Sequence, residues 1–248
     1  MKQQSPIQQT KVAETLNLDY KPNNDEIWLG KNQDVLRNTV GILGLLLPVL
    51  IYFGLMIDCG HSKPLESISH YYFTRVGSVF IIVVSLLAFF LIIYKGNREI
   101  DFWVSTIAGI SALVVLLFPT GDIRAAECTQ GHKFIVNGLK APEARETLHL
   151  VAAAIFLTSL AVMSLFLFPH PKDVTKMQKK KLRNTIYRIC GVLMLLFLAV
   201  LLFCFLTKKT NTEWYFNAKI TYWMEALAVW SFGISWMVKG SIVKPITG

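Results

Sequence analysis

Thr39-Val40-Gly41-Ile42-Leu43-Gly44-Leu45-Leu46-Leu47-Pro48-Val49-Leu50-Ile51-Tyr52-Phe53-Gly54-Leu55-Met56-Ile57 is an uninterrupted run without a charged side chain. A hydrocarbon layer of roughly 30 Å is crossed by about 20 apolar residues in a helix, because a helix satisfies its own backbone N–H and C=O groups where no water can. Five further runs approach that length: Gly77 to Tyr94, Phe102 to Pro119, Thr147 to Phe168, Thr185 to Leu206 and Ile220 to Val238. The sequence therefore predicts an all-α fold, a six-transmembrane-helix bundle embedded in the cell membrane as a multi-pass protein, with the bacterial inner membrane as the expected site. An apolar content of 53% lies above the 45–50% typical of soluble domains. No internal repeat supports an inverted-repeat transporter.

Three regions are expected: a polar cytoplasmic N-terminal tail over 1–37, the transmembrane domain over 38–240 and a short C-terminal tail over 241–248. The tail lacks the apolar core and small-residue cleavage site of a secretory signal. Orientation follows from the basic residues, since short loops rich in Lys and Arg stay on the cytoplasmic side. Lys179-Lys180-Lys181, with Lys95 and Arg98 and the basic residues of both tails, places both termini in the cytoplasm. The net charge of +9 then reflects topology and attraction to anionic headgroups, with membrane lipids as the expected partners. The basic residues are scattered and no nucleic-acid recognition motif accompanies them, so no nucleic-acid partner is expected. A protein partner or a homo-oligomer stays open.

This topology gathers the unusual polar residues at the outer face. Ser67, Ser69 and His70 precede the second run, Asp122 follows the third, His149 opens the fourth, and Glu225 interrupts the apolar sixth. A carboxylate within an apolar helix is costly in lipid, roughly 2.5 to 3.5 kcal/mol or more, so Glu225 is expected to face the interior and find a partner. His149, at matching depth, is the natural candidate. Three chemistries fit these residue types. His70, Asp122, His149 and Glu225 could ligate a zinc-like ion that activates water. Without metal, His149, Glu225, Ser69 and Asp122 offer an acid, a base and a nucleophile for hydrolysis. The same groups could carry protons in a transporter or channel, or merely pin helices together in a non-catalytic sensor or assembly subunit. The leading expectation is binding or hydrolysis of a lipid-like or amphipathic small molecule, so enzymatic activity stays undecided at this point. His-Glu-x-x-His and Cys-x-x-Cys are absent. Cys59 and Cys128 fall in outer segments and are a candidate disulfide, whereas Cys190 and Cys204 read as apolar fillers.

Other features read as structure. Gly41, Gly44 and Ala108-Gly109 permit close helix approach; Pro48 can kink the first helix, and Pro119 and Pro169 sit where helices should stop. The loop from Thr120 to Glu146 is long enough to cap the outer end, as a lid or as an irregular surface loop.

The order Ser67-Ile68-Ser69-His70-Tyr71-Tyr72, Leu117-Phe118-Pro119-Thr120-Gly121-Asp122 and Leu148-His149-Leu150-Val151-Ala152-Ala153-Ala154 resembles a family of bacterial polytopic membrane proteins classed under a domain of unknown function. A more distant similarity is to the alkaline ceramidase and progestin-adipoQ receptor hydrolases, which set a Ser, an Asp and three His around zinc within seven helices. That resemblance implies Ser69, Asp122 and His149 as matching types, with Glu225 standing where paired His are expected.

Overall fold

The structure is a computed structural model that describes residues 33–94, 96, 98–121, 123, 135–136, 142–169 and 177–240, without the side chains of 33, 59 and 177–180. Among these residues the chain is all-α. Helix α1 spans Gln33–Cys59, and a 3-10 turn, Ile68–Phe73, leads into α2 at Gly77–Ile93. Then follow α3 at Glu99–Leu117, α4 at Glu143–Val162 with one π turn continuing it over Met163–Leu167, and α5 at Met177–Leu206. A short α6, Glu213–Asn217, precedes α7 at Ile220–Lys239. Proline acts as expected at two helix ends, since α3 stops two residues before Pro119 and the π turn two before Pro169.

Four segments are long and apolar enough to cross a membrane: Asp34–Asp58, Glu99–Leu117, Glu143–Leu167 and Lys181–Leu206. The two other runs read from the sequence form helices that miss this description for different reasons. Helix α2 is apolar but has only 17 residues. Helix α7 has 20 residues but carries Thr, Tyr, Trp, Ser and Glu among its apolar side chains, which lowers its mean hydropathy. Those polar groups are largely internal: Tyr222, Ser231, Ser235 and Trp236 are all buried.

Successive long helices pack as chain neighbours, α1 on α2, α2 on α3, α3 on α4, α4 on α5 and α5 on α7, and α7 closes the ring against α1. The upper end of the ring holds the 3-10 turn, α6 and the starts of α2, α4 and α7; the lower end holds the start of α1 and the end of α7. Tight crossings need small residues. A methyl on Gly233 would sit 2.8 Å from the Gly41 carbonyl oxygen, and one on Gly41 would sit 2.8 Å from the Met237 nitrogen. Pro48 lacks the N–H that a helix interior requires, and around it α7 supplies the polar contacts: Trp230 Nε1 donates to the Leu45 carbonyl at 3.0 Å and Tyr222 Oη to that of Pro48 at 3.1 Å.

The outside of the ring is as apolar as its inside. Leu50, Phe53 and Ile57 on α1, Ile82 and Phe89 on α2, Trp103 and Ile110 on α3, and Val192, Leu196 and Phe203 on α5 are all exposed. A soluble protein would leave such a surface in contact with water over several adjoining helices, far beyond the few hundred Å² of apolar patch usual on a monomer.

Candidate functional site

Glu225 sits one turn and a half into α7 and is partly buried beneath the 3-10 turn. Its Oε2 accepts a hydrogen bond from the Ile68 backbone N–H at 2.7 Å. The sequence paired it with His149, but the fold gives each a backbone partner instead. His149, on the second turn of α4 and 3% exposed, meets the Phe118 carbonyl oxygen through Nδ1 at 2.8 Å. That contact ties α4 to the end of α3.

The segment 66–70 supplies the rest of the upper site. Ser67 is buried, and its Oγ lies 2.6 Å from His70 Nδ1. Tyr222 N–H donates to the Glu66 carbonyl at 3.0 Å, which fixes the segment to α7 through its backbone. Two cavities flank it. The inner one, about 60 Å³, is lined by Ser69 and Glu225 together with apolar side chains from α1, α2, α3, α4 and α7, among them Leu47, Phe80, Ala112, Phe156 and Val229. The other, about 80 Å³, is polar: Glu66, Thr210, Tyr215, Lys219 and Thr221 line it with Phe216 and Ile220. Lys219 is buried there in a left-handed backbone conformation, φ 51°, with its ammonium 3.9 Å from the centre of the Phe216 ring. Tyr215 Oη bonds Thr221 Oγ1 at 2.8 Å. Burial raises the Tyr215 phenol above its ordinary pKa of 10, against the pull of the Thr221 bond, so it remains a neutral hydrogen-bonding group.

Of the predicted site residues, Ser69 and Glu225 share the inner cavity, His70 turns to Ser67, and His149 is committed to Phe118. Asp122 lies outside the described residues. Among the described residues no three His, Cys, Asp or Glu side chains are grouped to hold a metal ion, so His70, His149 and Glu225 do not by themselves make the zinc site expected of them. Cys128 and the Cys59 side chain also lie outside the described residues; Cys190 and Cys204 are buried free thiols on α5. Part of the long loop does return to the upper end: Val136 N–H donates to the Phe73 carbonyl at 2.9 Å and Ile135 bridges Thr74.

Lys219, Tyr215 and Thr221 were not singled out by sequence, because a short polar connection between apolar runs reads as surface. The aromatic triplet Trp214-Tyr215-Phe216 so near a lysine was the available signal. Comparison with family models, curated proteins and solved structures gives no match.

Proposed function

We propose that this chain is a six-span integral membrane protein that binds a small amphipathic molecule at its outer end. The apolar exterior supports extending the four qualifying helices to six, because α2 and α7 belong to the same closed ring. The basic residues near the lower end support a cytoplasmic lower face.

The observation that carries the binding role is the inner cavity, where one carboxylate and one hydroxyl face an otherwise apolar lining. Ligand sites have this character, a few fixed polar groups in an apolar enclosure. At about 60 Å³ the cavity exceeds the 10–15 Å³ that one water needs but falls well short of the 300–1,000 Å³ of drug-sized pockets. It suits a small amine or the end of a larger amphipath, with Glu225 meeting the cationic or hydrogen-bond-donating group. Titration of the protein in lipid nanodiscs with butylamine and with butane tests this. Butylamine binding that weakens about tenfold in Glu225→Gln, the value of one charge-assisted bond, supports the role; identical binding by both proteins, or none, refutes it.

A second reading, hydrolysis, rests on one contact. Ser67 Oγ and His70 Nδ1 are within hydrogen-bond reach at 2.6 Å, the geometry of a nucleophile and its base. The same two residues are also joined through the backbone, His70 N–H donating to the Ser67 carbonyl at 3.3 Å, so the 3-10 turn itself holds them together. Covalent labelling of Ser67 by a fluorophosphonate, absent in Ser67→Ala, would favour the enzyme; an unlabelled wild type would exclude a reactive Ser67.

A further inference from the structure

The apolar outside of the ring has edges, and they lie closer together than the roughly 30 Å of a typical hydrocarbon layer. Helix α2 turns Ile82, Phe89 and Ile93 outward and has 17 residues. At 1.5 Å per residue it is about 25 Å long, and a helix crosses no more than its own length. Charge bounds it on both sides, since Arg75 precedes it and Lys95 follows it in the sequence. Arg75 is half exposed and reaches Asp58, at the end of α1, at 3.6 Å. Two neighbouring helices therefore lose their apolar exterior at one upper level.

Helix α5 marks a band of similar height. Its exposed Arg188 and Phe203 are 15 residues apart, about 22 Å along the axis, and the outward side chains between them, Ile189, Val192 and Leu196 among them, are apolar. Lys209 follows the helix end, yet its ammonium folds back to 5.3 Å from the centre of the Phe203 ring, which sets the upper charge at the level of that ring. Two tryptophans stand at the same edges. Trp103, 60% exposed, is on the second turn of α3 at the lower end, and Trp214, 66% exposed, is on α6 at the upper end. Tyr215, next to Trp214, is buried, so α6 lies along the rim with one indole outward. An outward indole is at home at the headgroup level, where its ring meets acyl chains and its N–H meets ester oxygens.

We infer that this outer belt fits a hydrocarbon layer of about 25 Å, so that phospholipids with short acyl chains are the partners that match it, with Trp103 and Trp214 at the two headgroup levels. The inference rests on the membrane reading above and adds a thickness to it. Each ångström of mismatch between belt and bilayer has a modest cost, and the sum sorts proteins among membranes and selects the lipids beside them. Helix α1, with 27 residues, crosses such a layer by tilting or by carrying its ends into the headgroups. A covering protein would not require cations, indoles and helix ends to agree on two levels; a bilayer does.

The test places the full chain in bilayers mixed from dimyristoleoyl and dierucoyl phosphatidylcholine, short and long respectively, with one of the pair brominated in its chains. Quenching of tryptophan fluorescence then reads which lipid lies against the protein. The short lipid is expected to be enriched there about fivefold, the equivalent of about 1 kcal/mol. A second arm uses dioleoyl phosphatidylcholine doped with lipid brominated either near the ester or near the chain end. Bromine near the ester is expected to quench wild type more than Trp103→Phe or Trp214→Phe, and bromine near the chain end to quench all three alike; both indoles are exposed, so neither change disturbs the core. Equal enrichment of the two chain lengths, or enrichment of the long one, overturns the inference. So does quenching of Trp103 and Trp214 chiefly from the chain end. In each of these outcomes quenching itself keeps the chain in lipid and the membrane reading stands. Protein that no brominated lipid quenches overturns the membrane reading as well.

Discussion

Glu225 illustrates how much one hydrogen bond decides. Its carboxylate is the acceptor for the Ile68 N–H at 2.7 Å, and that amide sits at the start of a 3-10 turn. Glu225→Gln keeps a carbonyl oxygen in the same place, whereas Glu225→Ala leaves a buried donor unsatisfied, at a cost of about 1–3 kcal/mol. Thermal unfolding in detergent should therefore find the Gln variant close to wild type and the Ala variant clearly less stable. Equal loss in both would mean that the charge, not the acceptor, matters. The sequence made Glu225 and His149 legible as polar residues in apolar runs, because lipid makes such residues expensive. Their partners were not legible. Ile68 N–H and Phe118 C=O are backbone groups 157 and 31 residues away, and every residue except proline offers the same pair.

Between elements, the α1–α7 crossing is the most demanding contact, since each helix presents a glycine to the other's backbone. A β-carbon at Gly233 would lie 2.8 Å from the Gly41 oxygen and 2.8 Å from Leu45 Cγ, whereas one at Gly44 would first meet the Phe232 ring at 3.1 Å. A ring edge can give way by a few tenths of an ångström; a helix backbone cannot without moving the helix. Gly233→Ala is thus expected to cost about 1–3 kcal/mol from overpacking, more than the roughly 1 kcal/mol gained in helix propensity, and Gly44→Ala to cost less. Denaturant titration of the two variants in micelles checks the order, and Gly44→Ala proving the worse would contradict the crossing. Gly41 and Gly44 could be read as packing residues from sequence because small residues separated by one turn have few other uses in a membrane helix. That α7 is their partner could not. The apolar runs announced all six long helices, α7 as Ile220 to Val238, within a residue or so of its observed span; what they did not announce was that α7 joins α1 to α5, because its polar side chains are turned inward.

For the molecule as a whole, the proposed membrane reading makes one demand: the two ends of the ring must lie in different aqueous compartments. Lys63 and Lys208 are exposed at the upper end, and Glu99 and Lys181 at the lower. On the proposed topology the positive-inside bias sets the lower end in the cytoplasm, the basic run Lys179-Lys180-Lys181 resisting translocation most. Single cysteines at these four positions, in a background with the four native cysteines replaced by serine or alanine, turn this into a measurement. A membrane-impermeant maleimide applied to intact cells should label Lys63→Cys and Lys208→Cys and should reach Glu99→Cys and Lys181→Cys only after permeabilisation. The reversed pattern would preserve the ring but move the Glu225 cavity to the cytoplasmic side. Labelling of all four from one side would leave the exposed Leu50, Phe89 and Phe203 with no lipid to face, and the closed ring would then need a protein surface, not a bilayer, to cover it.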